Sequence, residues 1–371
     1  MAWISEENKA LLAKEGMERG QTLTYDSVVQ LTKKYPSLEF EDILTIVKYV
    51  DEEHFKPLMI SYCKDAKKLQ EVYSSFEFAF VYKDLALIDY LINRHQNDVL
   101  LTHCCKVYNL GKRLLENNIS AENLLISTQS LLATNEHDAT YIKLKLLEFT
   151  AFLRMKQLQT AFYLLQKLEI TISQLDNRYL KTVFAARFSC NLALGYLNTH
   201  ADFEKAELYA LSTVVNPTSE NILLGAAYRI LGQIYLYQKN KFDQSYEHFQ
   251  LAISIYEEIN AHDQIDSILY QDIVFLHNLH NKYIDLNEKV DLEEQAHQHI
   301  VRGNKKRALE LLNLHESKYG ASKYSFFYRA KATNNISFYM NALKIAAKEG
   351  EIPVCYWMFE EFDKLILTTL N

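Results

Sequence analysis

Phe188-Ser189-Cys190-Asn191-Leu192-Ala193-Leu194-Gly195-Tyr196 and Ala227-Tyr228-Arg229-Ile230-Leu231-Gly232-Gln233-Ile234-Tyr235 decide how the chain is read. They lie in two windows, Phe188 to Asn216 and Gly225 to Glu257, that can be laid on each other as successive copies of one helical hairpin. Leu192, Ala193, Tyr196, Ala206, Ala210 and Thr213 fall on Leu231, Gly232, Tyr235, Ser245, Phe249 and Ala252, each about 39 residues further on. Small residues at fixed places in both helices let the pair approach closely. The link Asn216-Pro217-Thr218-Ser219-Glu220-Asn221 carries the proline and capping residues that stop one hairpin and start the next. The alternative is two ordinary amphipathic helices in chance agreement.

The template is close to the tetratricopeptide repeat, whose usual period is roughly 34 residues. Further windows fit it. Phe149, Phe152, Ala161, Leu165 and Leu168 form one, Ala296, His299, Ala308, Leu312 and His315 another, and Ala330, Ala342 and Ala346 a degenerate last copy. His137-Asp138, Asn216-Pro217, Asn260-Ala261-His262 and Gly303-Asn304 mark turns between helices. The expected fold is all-α, a right-handed superhelix of tetratricopeptide-like hairpins over residues 136–371, joined by a helical linker over 37–135 to a small helix-turn-helix-like unit over 1–36. Composition agrees: 371 residues hold 9 Gly and 4 Pro, too few punctuators for many strands and turns, and are 49% hydrophobic. Twenty-five Tyr and nineteen Phe suit hairpins in which a ring fills the space left by a small residue opposite.

Five cysteines without a C-x-x-C spacing point to a reduced, cytoplasmic protein. The polar, acidic start and the lack of any run of about 18 apolar residues predict neither export nor membrane insertion. A net charge of −7 argues against a wholly basic nucleic-acid surface but leaves room for one small DNA-binding segment. That segment would be the amino-terminal unit, with helices predicted over Glu6 to Glu15 and Tyr25 to Lys34 around Gly16 and Gly20. In a helix-turn-helix, Ser27, Gln30 and Thr32 would face base edges and Lys33 and Lys34 would lie near phosphate. Glu6, Glu7, Glu15, Glu18 and Asp26 balance the basic residues, so a plain capping hairpin stays open as the alternative. At the other end, Leu365, Ile366, Leu367 and Leu370 make an apolar tail that either buries against the last repeat or forms a dimer contact.

No phosphate loop, nucleophile elbow, H-E-x-x-H or paired cysteine cluster is present, so no enzyme, cofactor or metal is expected. His277 with His280 and His297 with His299 read as helix-surface or core-edge residues, and Cys104 and Cys105 as small buried ones. Stacked hairpins line a groove with their first helices, a shape suited to an extended peptide. The polar residues interrupting those helices are the candidate readers: Asn191, Asn198, Arg229, Gln233, Asn278, Glu294 and Gln295, which together offer donors and acceptors to a peptide backbone.

Asp291-Leu292-Glu293-Glu294-Gln295-Ala296-His297, followed by Asn304-Lys305-Lys306-Arg307-Ala308-Leu309-Glu310-Leu311-Leu312, resembles the arbitrium receptors, AimR, of temperate phages, regulators related to the Rap and PlcR group of tetratricopeptide receptors. Leu38 to Cys63, Tyr270-Gln271 through Phe275-Leu276, and the hairpin around Phe338-Tyr339 extend the likeness. The resemblance implies a homodimer whose amino-terminal helix-turn-helix binds operator DNA and drives lytic growth until a short signalling peptide, a re-imported hexapeptide, occupies the superhelix. It also implies that Gln233 and Asn198 stand at pocket Asn positions, Phe275 at a pocket aromatic, and Glu293 and Glu294 at polar pocket residues. The sequence departs from the pattern at Asn221-Ile222-Leu223-Leu224, where an Arg is expected, and at Gly350, where an Asp is expected. The other reading is a Rap-like adaptor that grips a partner protein instead of DNA.

Overall fold

The computed structural model describes residues 4–238 and 241–369, the last six of these as backbone only. The chain is all-helical, and no strand occurs among the described residues. It divides into two compact units. One comprises 1–155, 164–188 and 216–218; the other comprises 156–163, 189–215 and 219–371. The side chains of Leu365, Ile366, Leu367 and Leu370, the apolar tail, lie outside the described residues.

In the first unit the two predicted head helices form as Glu6–Glu15 and Tyr25–Lys34. Local chemistry sets their ends. Ser5 and Thr24 are N-caps whose hydroxyls accept from the amides of Asn8 and Ser27, and Gly16 ends the first helix at φ +64°, where a residue without Cβ is unstrained. The nine-residue link between them is longer than the three or four residues of an ordinary helix-turn-helix. It is pinned instead to the next helix, Phe40–Val50: the Gly20 amide donates to the Val50 carbonyl and the Leu23 amide to Asp51 Oδ2. Ile4, Leu12 and Leu31 bury against Ile46 and Val50, so the head's core is completed by a helix beyond residue 36.

Further along this unit, helices Leu69–Val81, Thr102–Leu115, Asp138–Arg154 and the start of Arg178–His200 surround one buried carboxylate. Glu77 Oε2 accepts from Lys143 Nζ at 2.8 Å and from the Tyr108 hydroxyl at 2.7 Å, while its Oε1 lies 2.8 Å from Arg187 Nη1. Burial alone would raise Glu77, but the two cations win and hold its carboxyl below the usual range. Leu168, counted with the hairpin window at Phe149, opens a separate helix, Leu168–Ser173.

The second unit is built of the predicted hairpins. Asn221–Leu236 pairs with Phe242–Glu258, Leu292–Val301 with Lys305–Tyr319, and Lys323–Thr333 with Ile336–Glu349. The small positions of the template are where the helices touch. A Cβ added at Gly232 would meet the Phe249 ring at 2.6 Å, one at Gly225 the Tyr256 ring at 2.5 Å, and Ser245 Oγ donates to the Gly232 carbonyl at 2.8 Å. Ala296, Ala308, Ala330, Ala342 and Ala346 are fully buried in the core of the last two hairpins. This is the tetratricopeptide packing rule, small against large, and at these positions it matches the sequence template.

Candidate functional site

Polar residues of the second unit gather into two networks. The first centres on Asp272, at the end of a π-helical turn, Ile268–Asp272, set between the helices His262–Ser267 and Ile273–Leu279. Such a turn widens the helix by one residue and recurs at functional sites. Here it carries the Asp272 carboxyl to Arg229 Nε at 2.5 Å and Gln233 Nε2 at 3.1 Å, and Arg229 Nη2 also donates to Ser267 Oγ at 2.9 Å. Burial outweighs these partners and raises the Asp272 carboxyl above the usual range.

The second network starts at Asp291, which caps Leu292–Val301 by accepting from the amides of Glu293 and Glu294 at 2.8 and 2.9 Å. Glu294 is buried; its Oε2 accepts from Asn278 Nδ2 at 2.7 Å and its Oε1 from the Tyr328 hydroxyl at 2.5 Å. Desolvation is the larger effect and pushes its carboxyl up to about 7. Asn278, 1% exposed, also accepts from Gln298 Nε2 at 2.6 Å. Glu293 accepts from the Ser322 hydroxyl and lies 3.5 Å from His315 Nδ1; burial raises its carboxyl too. Gln295 turns back to the Val290 carbonyl at 2.6 Å.

Aromatic rings stand between these networks. Phe275 makes edge contacts with Tyr237, Tyr324 and Trp357, at 6.4, 5.9 and 5.2 Å between centroids. His297 is fully buried, stacked on Tyr328 at 4.2 Å and tilted against Trp357, with neither ring nitrogen hydrogen-bonded, and burial drives its pKa well down. It is a core residue, not the helix-surface or core-edge histidine expected, because its face of Leu292–Val301 is the one covered by Lys323–Thr333. His277 and His280 both pack edge-on against Phe242.

The fold therefore brings Asn278, Glu293, Glu294 and Gln295 to one helix junction, puts Phe275 one helical turn from Asn278, and attaches Gln233 through Asp272. Asn198 stands apart: its amide donates to the Leu194 carbonyl of its own helix. Asn278 and Glu294, expected as open donors and acceptors, are engaged with each other, as buried polar groups must be. Asp272, Tyr324, Tyr328 and Trp357 were not singled out from the sequence. Asp272 had a signal, since it falls inside the stretch from Tyr270 to Leu276; the aromatic residues had none, being three among many.

In the head, one face of Tyr25–Lys34 buries Val28 and Leu31 and the other is open. Gln30 and Lys33 are exposed, with no side-chain partner among the described residues. Ser27 hydrogen-bonds the Thr24 hydroxyl at 2.8 Å, Thr32 its own helix at Val29, and Lys34 reaches Glu15 at 2.7 Å. Lys9 and Arg19 lie beside Glu6 and Glu52.

Among the described residues no helix is long and apolar enough to cross a membrane. No curated protein matches the chain. Two solved structures are similar over nearly their whole length. Selenomethionine phAimR is 16% identical, with 98% of each chain covered and a TM-score of 0.66. phAimR with a ligand is 18% identical, with 88% of this chain and 98% of that chain covered and a TM-score of 0.67. At these identities the likeness concerns the fold. The family model described as AimR transcriptional regulator-like matches residues 56–352, most of the chain. The protein therefore belongs to the AimR transcriptional regulator-like family.

Proposed function

We propose that this chain is a peptide-responsive, DNA-binding transcription regulator of the arbitrium type, a cytoplasmic homodimer that controls a phage lysis–lysogeny decision. One observation carries the reading: the match to a family of transcriptional regulators, over residues 56–352, takes in every residue of the two polar networks. The open face of Tyr25–Lys34 supplies an element for operator DNA, with Ser27, Gln30 and Thr32 toward bases and Lys33 and Lys34 toward phosphate. The ligand that suits the second unit is a short peptide held by Asn198, Gln233, Phe275, Asn278, Glu293, Glu294 and Gln295. Its chemistry follows from the carboxyls of Asp272, Glu293 and Glu294, all raised by burial. A positive group on the peptide offsets that cost by favouring the ionised carboxylates, whereas an acidic peptide adds to it.

Calorimetric titration with the processed tail of a short secreted-peptide gene beside this one tests the reading. Saturable one-to-one binding that changes affinity for the promoter beside the gene is expected. No heat, together with no promoter binding in either state, sinks it.

The Rap-like adaptor keeps one observation in its favour. The head's cations Lys9, Arg19 and Lys34 each have an acidic partner, which leaves little net positive field there. A stable protein partner bound with little salt dependence, and no affinity for DNA, decides for it.

A further inference from the structure

Within the first unit, Thr102–Leu115 and Ala121–Leu132 enclose a groove of about 390 Å³. Lys106, Asn109 and Arg113 lie along one side of it; Ile126, Ser130 and Leu131 lie along the other. Lys106, Asn109 and Arg113 are spaced i, i+3, i+7, so they share one helix face. Both cations are exposed, and neither has a hydrogen-bond or ion-pair partner among the described residues. Neighbouring cations are differently placed. Lys112 on the same helix is 2.7 Å from Asp89 and 3.6 Å from Glu116, and Lys145 is 2.7 Å from Glu148. Opposite the free cations, Ile126 leaves 65% of its surface in water.

We propose that this groove docks an acidic, amphipathic helical segment of a partner protein. Lys106 and Arg113 are seven residues apart, roughly 10 Å along the helix axis at about 1.5 Å per residue. A helix laid in the groove presents carboxylates at the same spacing when they stand at its own positions i and i+7. Aliphatic residues at i+3 and i+4 then face Ile126 and Leu131, and Asn109 and Ser130 serve the polar edge. The exposed isoleucine favours protein over nucleic acid, since a phosphate backbone would cover it with charge and gain nothing from it. This groove and the networks around Asp272 and Glu294 lie in different units, so failure here leaves the proposed regulator untouched.

The test is fluorescence anisotropy on the full chain with a labelled, acetylated 15-residue helical peptide carrying Glu at i and i+7 and Leu at i+3 and i+4. Micromolar binding is expected, weakened at least tenfold by the charge reversal K106E/R113E and severalfold by K106Q/R113Q and by I126S. A control peptide with both Glu replaced by Gln should bind at least tenfold more weakly. All three positions are exposed, and unchanged thermal unfolding confirms the variants are folded. No binding by the unaltered protein, or binding indifferent to K106E/R113E, overturns the proposal. So does a 20-base-pair duplex that displaces the peptide and itself loses affinity in K106E/R113E, which would assign the groove to nucleic acid.

Discussion

Lys143 Nζ lies 2.8 Å from Glu77 Oε2, and the two side chains are 1% and 0% exposed. The ammonium also sits over the Phe80 ring, 3.1 Å from its centroid, and shares its carboxylate with Arg187. One anion thus serves two cations. Burial lowers Lys143 to about 7, and the neighbouring Arg187 adds to the fall. Removing the anion should be far worse than removing one cation. Glu77→Gln leaves Lys143 and Arg187 facing each other and is expected to cost about 3–5 kcal/mol in urea unfolding. Lys143→Met leaves Glu77 with Arg187 and Tyr108 and should cost much less. Equal losses would show that the network is not organised around the carboxylate.

Glu294 makes stability depend on pH. Its folded pKa, about 7, lies above the ordinary carboxyl value, so the folded state holds a proton that the unfolded state has released. The contribution is complete below the unfolded pKa and is lost as pH rises through 7, amounting to about 3 kcal/mol at 1.4 kcal/mol per pK unit. The unfolding free energy of the unaltered protein minus that of Glu294→Gln should fall between pH 4.5 and 7.5. A difference that stays flat contradicts the buried, protonated carboxyl.

Gly232 is one of the close-approach points of the repeat hairpin. Gly232→Ala drives a methyl into the Phe249 ring and should lower stability by about 1–3 kcal/mol. Adding Phe249→Leu should recover part of the loss, because the smaller side chain vacates the contested volume. Thermal unfolding of the single and double variants checks the coupling.

For DNA binding, Lys33 and Lys34 should differ. Lys33 has no partner among the described residues, whereas Lys34 is held by Glu15 at 2.7 Å. Lys33→Ala is expected to weaken promoter binding across sequences and reduce the salt slope by about 1, with Lys34→Ala doing less. The slope of log affinity against log salt in both variants measures this; equal slopes in all three proteins would remove the head from the DNA contact.

In the ligand networks, Gln233→Ala with Asn198→Ala should abolish the response to peptide and leave promoter affinity within about twofold. Peptide titration and promoter binding on the same preparation separate the two effects. Loss of both together would mean that Gln233 and Asn198 only support the fold.

Much of this architecture is local and was therefore readable along the chain. The head helices ended where Ser5, Thr24 and Gly16 dictate, since a cap needs only its own next three residues. The small-and-large template at Gly232 and Phe249 reported a hairpin contact, because both residues belong to adjacent helices joined by a short link. The 291 to 297 run marked the helix that carries the Glu294 network. Long-range partners were another matter. Nothing about Glu77 announces Lys143, 66 positions away, and Arg178 gives no sign that it will bind Glu39 and Asp42, nearly 140 positions back. Sequence by itself determined which residues pair into hairpins, because helical periodicity and capping act over a few residues. Only tertiary packing decided that Asn278 and Glu294 satisfy each other, that Asp272 collects Arg229 and Gln233, and that His297 is sealed in. Those outcomes depend on which desolvated groups meet across helices, and burial, unlike periodicity, has no period to read.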